Sequence, residues 1–492
     1  MPIGATCIWE VRTTGSNTNG GGYTSGGTDY SQQDAAQYAL TGVTSEAAGN
    51  TVLSASAVAA MVGNIGCCVS GTNFTTSEFF EVASVSVGVS ITFGTSHAAA
   101  SISTGVGANG VINIGGAFKI GGTLDDDFFD SVVAGNTVYI QTSASGVTYT
   151  LGEAVSMASS GTAPLPITFE AYITARGTKP TGVDRPIIAS AANSLVTSGY
   201  VVCKYLIFTS TGGTNAIALG NYNVLIECKA VNTNTGAVYA FYGTGTSGNY
   251  YLVSCEGICR TGTAFEGGYA GGQLVNCYFH DSSKGIVLNS NTSIFGCIID
   301  TCVTGITTNY YGGIYNNTIR NCVTGISGGA KYVYISANNS ISDCVTGALW
   351  TTNELINVWK CNNFYNTTDN TLVTLDSTNL VASNPLLGSG LVSGTDGVTS
   401  ASGLVFTAVS APFSGVTTSD CLLIKATGTG ATVGVYIISS VDSTSQLTIS
   451  TSAGASKTGI TYGIVKGADF TLGAGSPCFD AGLQPSSVIG IT

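Results

Sequence analysis

The chain has 492 residues, 44% of them hydrophobic and only 9% charged, with a formal net charge of −12. Hydrophobic content at that level excludes a disordered chain, so the low charge means a neutral polar surface over a true core. The 15 basic residues are scattered singly, which argues against a phosphate-tracking surface and so against a nucleic-acid partner; no apolar run of about eighteen residues marks a membrane span.

The first residues, "MPIGATCIWEVRTTGSNTNGGGY", lack the charged and apolar regions of a secretory signal, so export by that route is not expected. A virus particle released by lysis is one route that needs no such signal. Residues 1–35 form a Gly/Ser/Thr/Asn-rich arm whose one strong anchor is Trp9, beside Ile8 and Val11. Such a composition builds no core of its own. Trp9 is therefore the candidate attachment residue, buried against another subunit or a second copy. The alternative is an arm packed along its own chain.

Residues 36–118 read as a small antiparallel β module. Its stretch 79–96, "FFEVASVSVGVSITFGTS", is echoed by 435–452, "VYIISSVDSTSQLTISTS". Ser84-Val85 and Ser440-Val441 precede Ile91-Thr92-Phe93 and Leu447-Thr448-Ile449 at equal spacing. The second copy lies in residues 389–467.

At 119–388 the pattern changes. "TLDDDFFD" offers a capping-box-like Thr123-x-x-Asp126 ahead of Phe128 and Phe129, a short helix able to cover one end of a coil stack. Its aspartates lack the spacing of a calcium loop. From Asn136 the chain becomes repetitive. Numbered back from Gly236, Gly262, Gly285, Gly305, Gly325 and Gly347, the repeats are 20 to 26 residues apart. That period marks a solenoid. Positions −10, −8 and −6 are mostly apolar or small, which reads as a strand with one buried face, and the glycine as a turn with positive φ. Helical repeats fit badly, because no unit holds a helical pattern. The expected fold is all-β, a parallel β-helix flanked by two small antiparallel modules.

Cys302, Cys322 and Cys344 occupy position −3, and Cys228, Cys277 and Cys297 position −8, which passes to Asn317 and Asn339 in later repeats. Coils stack about 4.8 Å apart, wider than the β-carbon spacing a disulfide prefers. These cysteines are expected to be reduced packing residues in interior columns, with disulfides or metal sites the alternative. Residues 317 and 339 would form an amide ladder. No CxxC pair occurs and the two histidines, His97 and His280, are far apart, so no zinc or other cofactor is expected. The redox state of Cys7, Cys67, Cys68, Cys421 and Cys478 stays open.

Position −5 carries the one row with chemistry: His280, Asp300 and Arg320, with Ser342 next. In register it would form an outward row able to contact an acidic glycan or to poise Asp300 as a base. The competing reading is a surface ion-pair row. No second acid or basic cluster accompanies it, so no catalytic residue is assigned. Tyr310, Tyr311, Tyr332, Tyr334, Trp350 and Trp359 gather late in the repeats, as core, as a sugar platform or as a subunit interface.

From "AGNTVYI" to "NPLL … DFTLGAGSPCFDAGL", over about residues 110–385 and again at 467–483, the chain resembles right-handed parallel β-helix proteins of the pectate-lyase-like superfamily. A closing segment at 468–492 is part of that likeness. The N-terminal stretch "WEVRTTGSNTNGGGYTSGGTDYSQQDAAQY" resembles openings of tailed-phage structural proteins. The superfamily hosts lyases, hydrolases, tailspikes and inert structural proteins, so fold alone names no activity. The missing signal, low charge, neutral polar surface, flanking modules and lack of a catalytic cluster favour a non-enzymatic virion protein (capsid decoration, head fibre or tail-fibre component), a homo-oligomer located in the virion among other virion proteins. A glycan-binding or glycan-degrading tailspike and a bacterial surface or filament protein are the alternatives.

Overall fold

The computed structural model describes residues 3–465, apart from residues 5, 97–98, 192–194, 237, 245–248, 269–270, 290, 310–311, 329–333, 351–356, 361, 366, 368–379, 382–391, 410–412, 419, 428–430 and 433. The closing segment and the late aromatic cluster (the side chains of Tyr334, Trp350 and Trp359 included) lie outside the described residues. The chain is nearly all β, a right-handed parallel β-helix with small antiparallel sheets. It divides into two compact units. Among the described residues no helix is long and apolar enough to cross a membrane.

In the first unit (residues 1–234 with 248–251) three parallel ladders form the faces of the coils. On one face Trp9, Val138, Phe169, Cys203 and Leu225 stand in register, all buried. On the next, Tyr149, Ile188, Phe208 and Ala230 do the same. Alternate residues point inward, so each coil adds one layer of side chains to a continuous core.

The arm is the first strand of this stack. Ile8–Ser16 pairs in parallel with Thr137–Gln141. Trp9 is 0% exposed, donates from Nε1 to Asn136 Oδ1 at 2.9 Å, and meets Phe79 and Phe128 edge-on. It is enclosed by its own chain, which overturns its assignment as an attachment residue: the strand alternation that points Trp9 and Val11 inward gives the arm the core its composition could not. Outward, the buried carboxylate of Glu10 is gripped by Arg12 at 2.9 Å, by Arg176 at 2.8 Å and by the Tyr172 hydroxyl. Arg176 also donates to Ser31 at 2.8 Å, which ties residues 29–34 down.

The helix runs Asp125–Ser131, but Leu124 is its N-cap and no side chain caps it. The expected capping box is absent because the aspartates are used otherwise. Asp125 accepts the backbone N–H groups of Gly121, Gly122 and Gly152, Asp126 that of Ser156, and Asp130 that of Ala158. Phe128 stacks on Phe118 at 4.1 Å and Phe129 packs on Phe169, so the helix closes over the first coils. Strands between Tyr38 and Ile114 form a closed six-stranded antiparallel barrel.

The second unit (residues 235–247 with 252–492) continues the pattern. Phe279, Ile299, Ile319, Ile341 and Phe364 stand in register on one face, and Phe265, Ile286, Ile306, Ile326 and Ala348 on another. The single strand read over positions −10 to −6 is instead two strands meeting at a corner. Position −9 holds a residue with positive φ: Asn276, Gly296, Asn316 and Asn338. A second corner at −4 does the same with Asp281, Thr301, Asn321 and Asp343.

Cys277, Cys297, Cys302, Cys322 and Cys344 each sit just after such a corner. Cys302, Cys322 and Cys344 donate to the carbonyls of Asp300, Arg320 and Ser342 at 3.2–3.3 Å. Cys277 and Cys297 do likewise to Val275 and Phe295. A left-handed corner turns one carbonyl inward, and a small residue with a weak donor satisfies it without filling the core. At −8 asparagine takes over: Asn317 Nδ2 donates to Ile294 O, and its Oδ1 accepts the N–H of Cys297 at 2.7 Å. The twelve cysteines whose side chains are described are buried and form no disulfide.

The repeat glycine is not a positive-φ turn at Gly285, Gly305 or Gly325, which lie within strands. A β-carbon on Gly305 would stand 2.6 Å from Gly325 O, 3.0 Å from Ile319 and 3.3 Å from Cys322 Sγ. Close approach between coils, not backbone freedom, demands it.

Strands between Val392 and Val465 close a second six-stranded barrel with the strand order of the first. The sequence echo falls on one hairpin in both copies. Ser84 faces Thr92 and Val85 faces Ile91; Ser440 faces Thr448 and Val441 faces Leu447, each pair just beyond a bulge.

Candidate functional site

The row at −5 is in register: His280 pairs with Asp300, Asp300 with Arg320, and Arg320 with Ser342. It lies on the outward side of the face whose inward column is Phe279, Ile299 and Ile319. Yet it is covered, with Asp300 1% and Arg320 4% exposed. Strand Gly434–Ser443 of the second barrel packs against Ile298–Thr308. The expected open surface row is thus a buried one.

Asp300 and Arg320 are occupied with each other, and His280 with residues outside the row. Arg320 Nη2 stands 3.4 Å from Asp300 Oδ2, and Asn321 Nδ2 donates to Asp300 Oδ1 at 2.8 Å. Burial raises the Asp300 pKa against the lowering effect of Arg320 and Asn321. His280 sits 2.8 Å from Asp281 through Nδ1 and 3.1 Å from Glu256 through Nε2, with its ring stacked on Tyr278. Burial opposes its charge, but the hydrogen bonds to Asp281 and Glu256 outweigh burial and lift its pKa to about 9. At neutral pH it is an imidazolium, with no lone pair to take a proton from substrate.

Beside the row the barrel and the coils enclose a cleft of about 170 Å³. Arg260, Asp281, Thr301 and Val303 line it from the coils, Ile437 and Ser450 from the barrel. Sequence reasoning missed Arg260, Asp281 and Glu256, which have no repeat signal. Period alone also cannot show that residues 437 and 450 reach coil residues well over a hundred positions earlier. Among the described residues no group of His, Cys, Asp and Glu is placed to hold a metal ion.

No protein-family model and no curated protein matches the chain. Among solved structures, pectate lyase Pel9A aligns at 12% identity over 51% of this chain and 75% of its own, with a TM-score of 0.29. A PL6 family polysaccharide lyase from Pseudopedobacter saltans aligns at 13% over 49% and 74%, TM-score 0.32. The Dettilon tailspike protein aligns at 13% over 68% and 88%, TM-score 0.28. The coil stack itself rests on its own strand ladders, not on these similarities.

Proposed function

We propose that this chain is a non-enzymatic structural protein of a tailed-phage virion, a capsid decoration, head fibre or tail-fibre component built on a parallel β-helix. One observation carries the reading. The row with residue types suited to acid–base chemistry is consumed internally, with Asp300 and Arg320 buried against each other and His280 held as a cation between Glu256 and Asp281. A general base needs an accessible lone pair, and this row offers none. The duplicated barrel supports the same reading, since a module used twice on one scaffold suits display or assembly. The resemblance of the N-terminal stretch to tailed-phage openings supplies the virion setting.

The test incubates purified protein with capsular polysaccharide and lipopolysaccharide and monitors reducing ends and unsaturated products by absorbance. Neither is expected. Product formation that Asp300→Asn abolishes would replace this reading with that of a depolymerising tailspike.

A further inference from the structure

The dipeptide Asn-Gly occurs twice in the sequence, at Asn19-Gly20 and Asn109-Gly110, and the fold treats the two oppositely. Asn19 is 3% exposed, and its Nδ2 donates to Asp34 O and Ala117 O at 3.0 and 2.9 Å. The N–H of Gly20 donates to Gly115 O at 3.1 Å. Asn109 lies in strand Ser103–Ile114 of the first barrel, is exposed, and its side-chain amide has no hydrogen-bond partner among the described residues. The pairing of this strand steps over Asn109 on both sides. Val43 faces Gly110 and Ser45 faces Gly107, while Ser70 faces Val111 and Thr72 faces Ala108. Asn109 is thus the unpaired residue of a bulge, at φ 55°, a left-handed conformation that asparagine tolerates. Gly110 after it is required by packing, since a β-carbon there would stand 2.7 Å from Val43 and 2.8 Å from Phe74. In the second barrel Gly397 faces Ile460, so Gly459, at φ 66°, occupies the place of Asn109.

We propose that Asn109 is a site of spontaneous deamidation in the folded protein. The backbone nitrogen of Gly110 attacks the side-chain carbonyl carbon of Asn109. The bond from that carbon to the amide nitrogen breaks, and ammonia leaves with the proton that the backbone nitrogen gave up. Water then opens the cyclic imide at either carbonyl and leaves aspartate or isoaspartate. No enzyme, metal or oxidant enters the balance. A following glycine leaves the attacking nitrogen unshielded by a β-carbon, and an unpaired bulge leaves the asparagine side chain free to turn onto it. Asn19 has neither freedom, because its amide and the Gly20 nitrogen are both hydrogen-bonded. Either product turns a neutral amide into a carboxylate. Isoaspartate also adds a methylene to the main chain of a strand that is paired on both sides. The matching bulge of the second barrel is exempt, since its residue is a glycine.

The reaction needs only water, so it does not depend on the scaffold reading. The experiment holds the full chain at mildly alkaline pH in heavy-oxygen water, both native and in urea, and follows the two Asn-Gly peptides by mass spectrometry. Incorporated heavy oxygen assigns each conversion to the incubation and not to sample handling. Fragmentation of the peptide that contains residue 109 separates aspartate from isoaspartate, and either product supports the site. In the native chain Asn109 is expected to convert at least tenfold faster than Asn19. In urea, where the fold holds neither, the two should convert at similar rates. Conversion of Asn19 as fast as Asn109 in the native chain would overturn the site. An Asn109 that stays intact in the native chain, over a period in which the unfolded chain converts it, would overturn it as well.

Discussion

Asn317 and Asn339 are joined across the interior. Both the side-chain amide and the backbone N–H of Asn317 donate to Asn339 Oδ1, at 3.0 and 2.9 Å. Asn339 repeats the arrangement with Asn362 Oδ1, at 2.9 and 3.1 Å. Asn339→Leu would strand the two Asn317 donors in an apolar interior, while Asn362 Oδ1 keeps the backbone N–H of residue 339. At roughly 1–3 kcal/mol for each unsatisfied buried group, the loss should be several kcal/mol in urea unfolding. A variant as stable as wild type would mean that the ladder contributes nothing to holding the coils together.

Gly305→Ala tests why the repeat keeps its glycine. The new methyl would stand 2.6 Å from Gly325 O, so the coils must separate locally at about 1–3 kcal/mol. Gly236 holds the same repeat position with nothing nearer than 3.7 Å to a β-carbon. Gly236→Ala should cost little by the same unfolding measurement. Equal effects of the two substitutions would point to backbone conformation as the cause.

Trp9→Ala removes a wholly buried ring from the meeting point of the first coil, the helix and the first barrel. The expected loss is about 3–5 kcal/mol, read as a lower denaturation midpoint. Deleting residues 1–30 should expose the Val138 layer and destabilise the first coils, not merely release a tether. Full stability of the truncated chain would show that the strand is dispensable.

His280 gives stability a defined pH dependence. Its folded pKa is raised to about 9 from an unfolded value near 6.5, so its contribution is complete below about pH 6.5 and is lost as pH rises through about 9. The full effect is on the order of 3 kcal/mol. Measurement between pH 6.5 and 7.5 isolates it, because thiols of the unfolded chain, with a pKa of about 8.5, ionise mainly above that range. His280→Asn should flatten the profile there. A slope retained in this variant would assign it to another group.

Burial pushes the Cys203, Cys322 and Cys344 thiols well above their ordinary pKa. A bulky maleimide should leave Cys302, Cys322 and Cys344 unlabelled in the native protein and label them once it is unfolded, as read by peptide mass spectrometry. Ready native labelling of any of these three would show that the interior opens.

Much of the coil was legible because a solenoid writes one spacing many times. Ile299, Ile319 and Ile341 share a column for the reason that they share a repeat position, and the hairpin echo of Ser84 and Ser440 survived at equal spacing. The role of the glycine was not legible, because a strand glycine forced by a neighbouring coil and a turn glycine freed by positive φ look alike in a sequence. The real corners carried a signal that the period did not point to: six of the eight, Asn276 and Asn321 among them, are Asn or Asp, which tolerate the left-handed conformation, whereas Thr301 does so only in context.

The periodic sequence determined which residues stack, since neighbouring coils are neighbouring repeats and their register is set by spacing. Tertiary structure alone decided what covers the stack. Trp9 became core because residues 8–16 found Thr137–Gln141, and the coil that holds Asp300 was met by strand Gly434–Ser443, more than a hundred residues later. Such contacts depend on which surfaces exclude water together, and no local period encodes them.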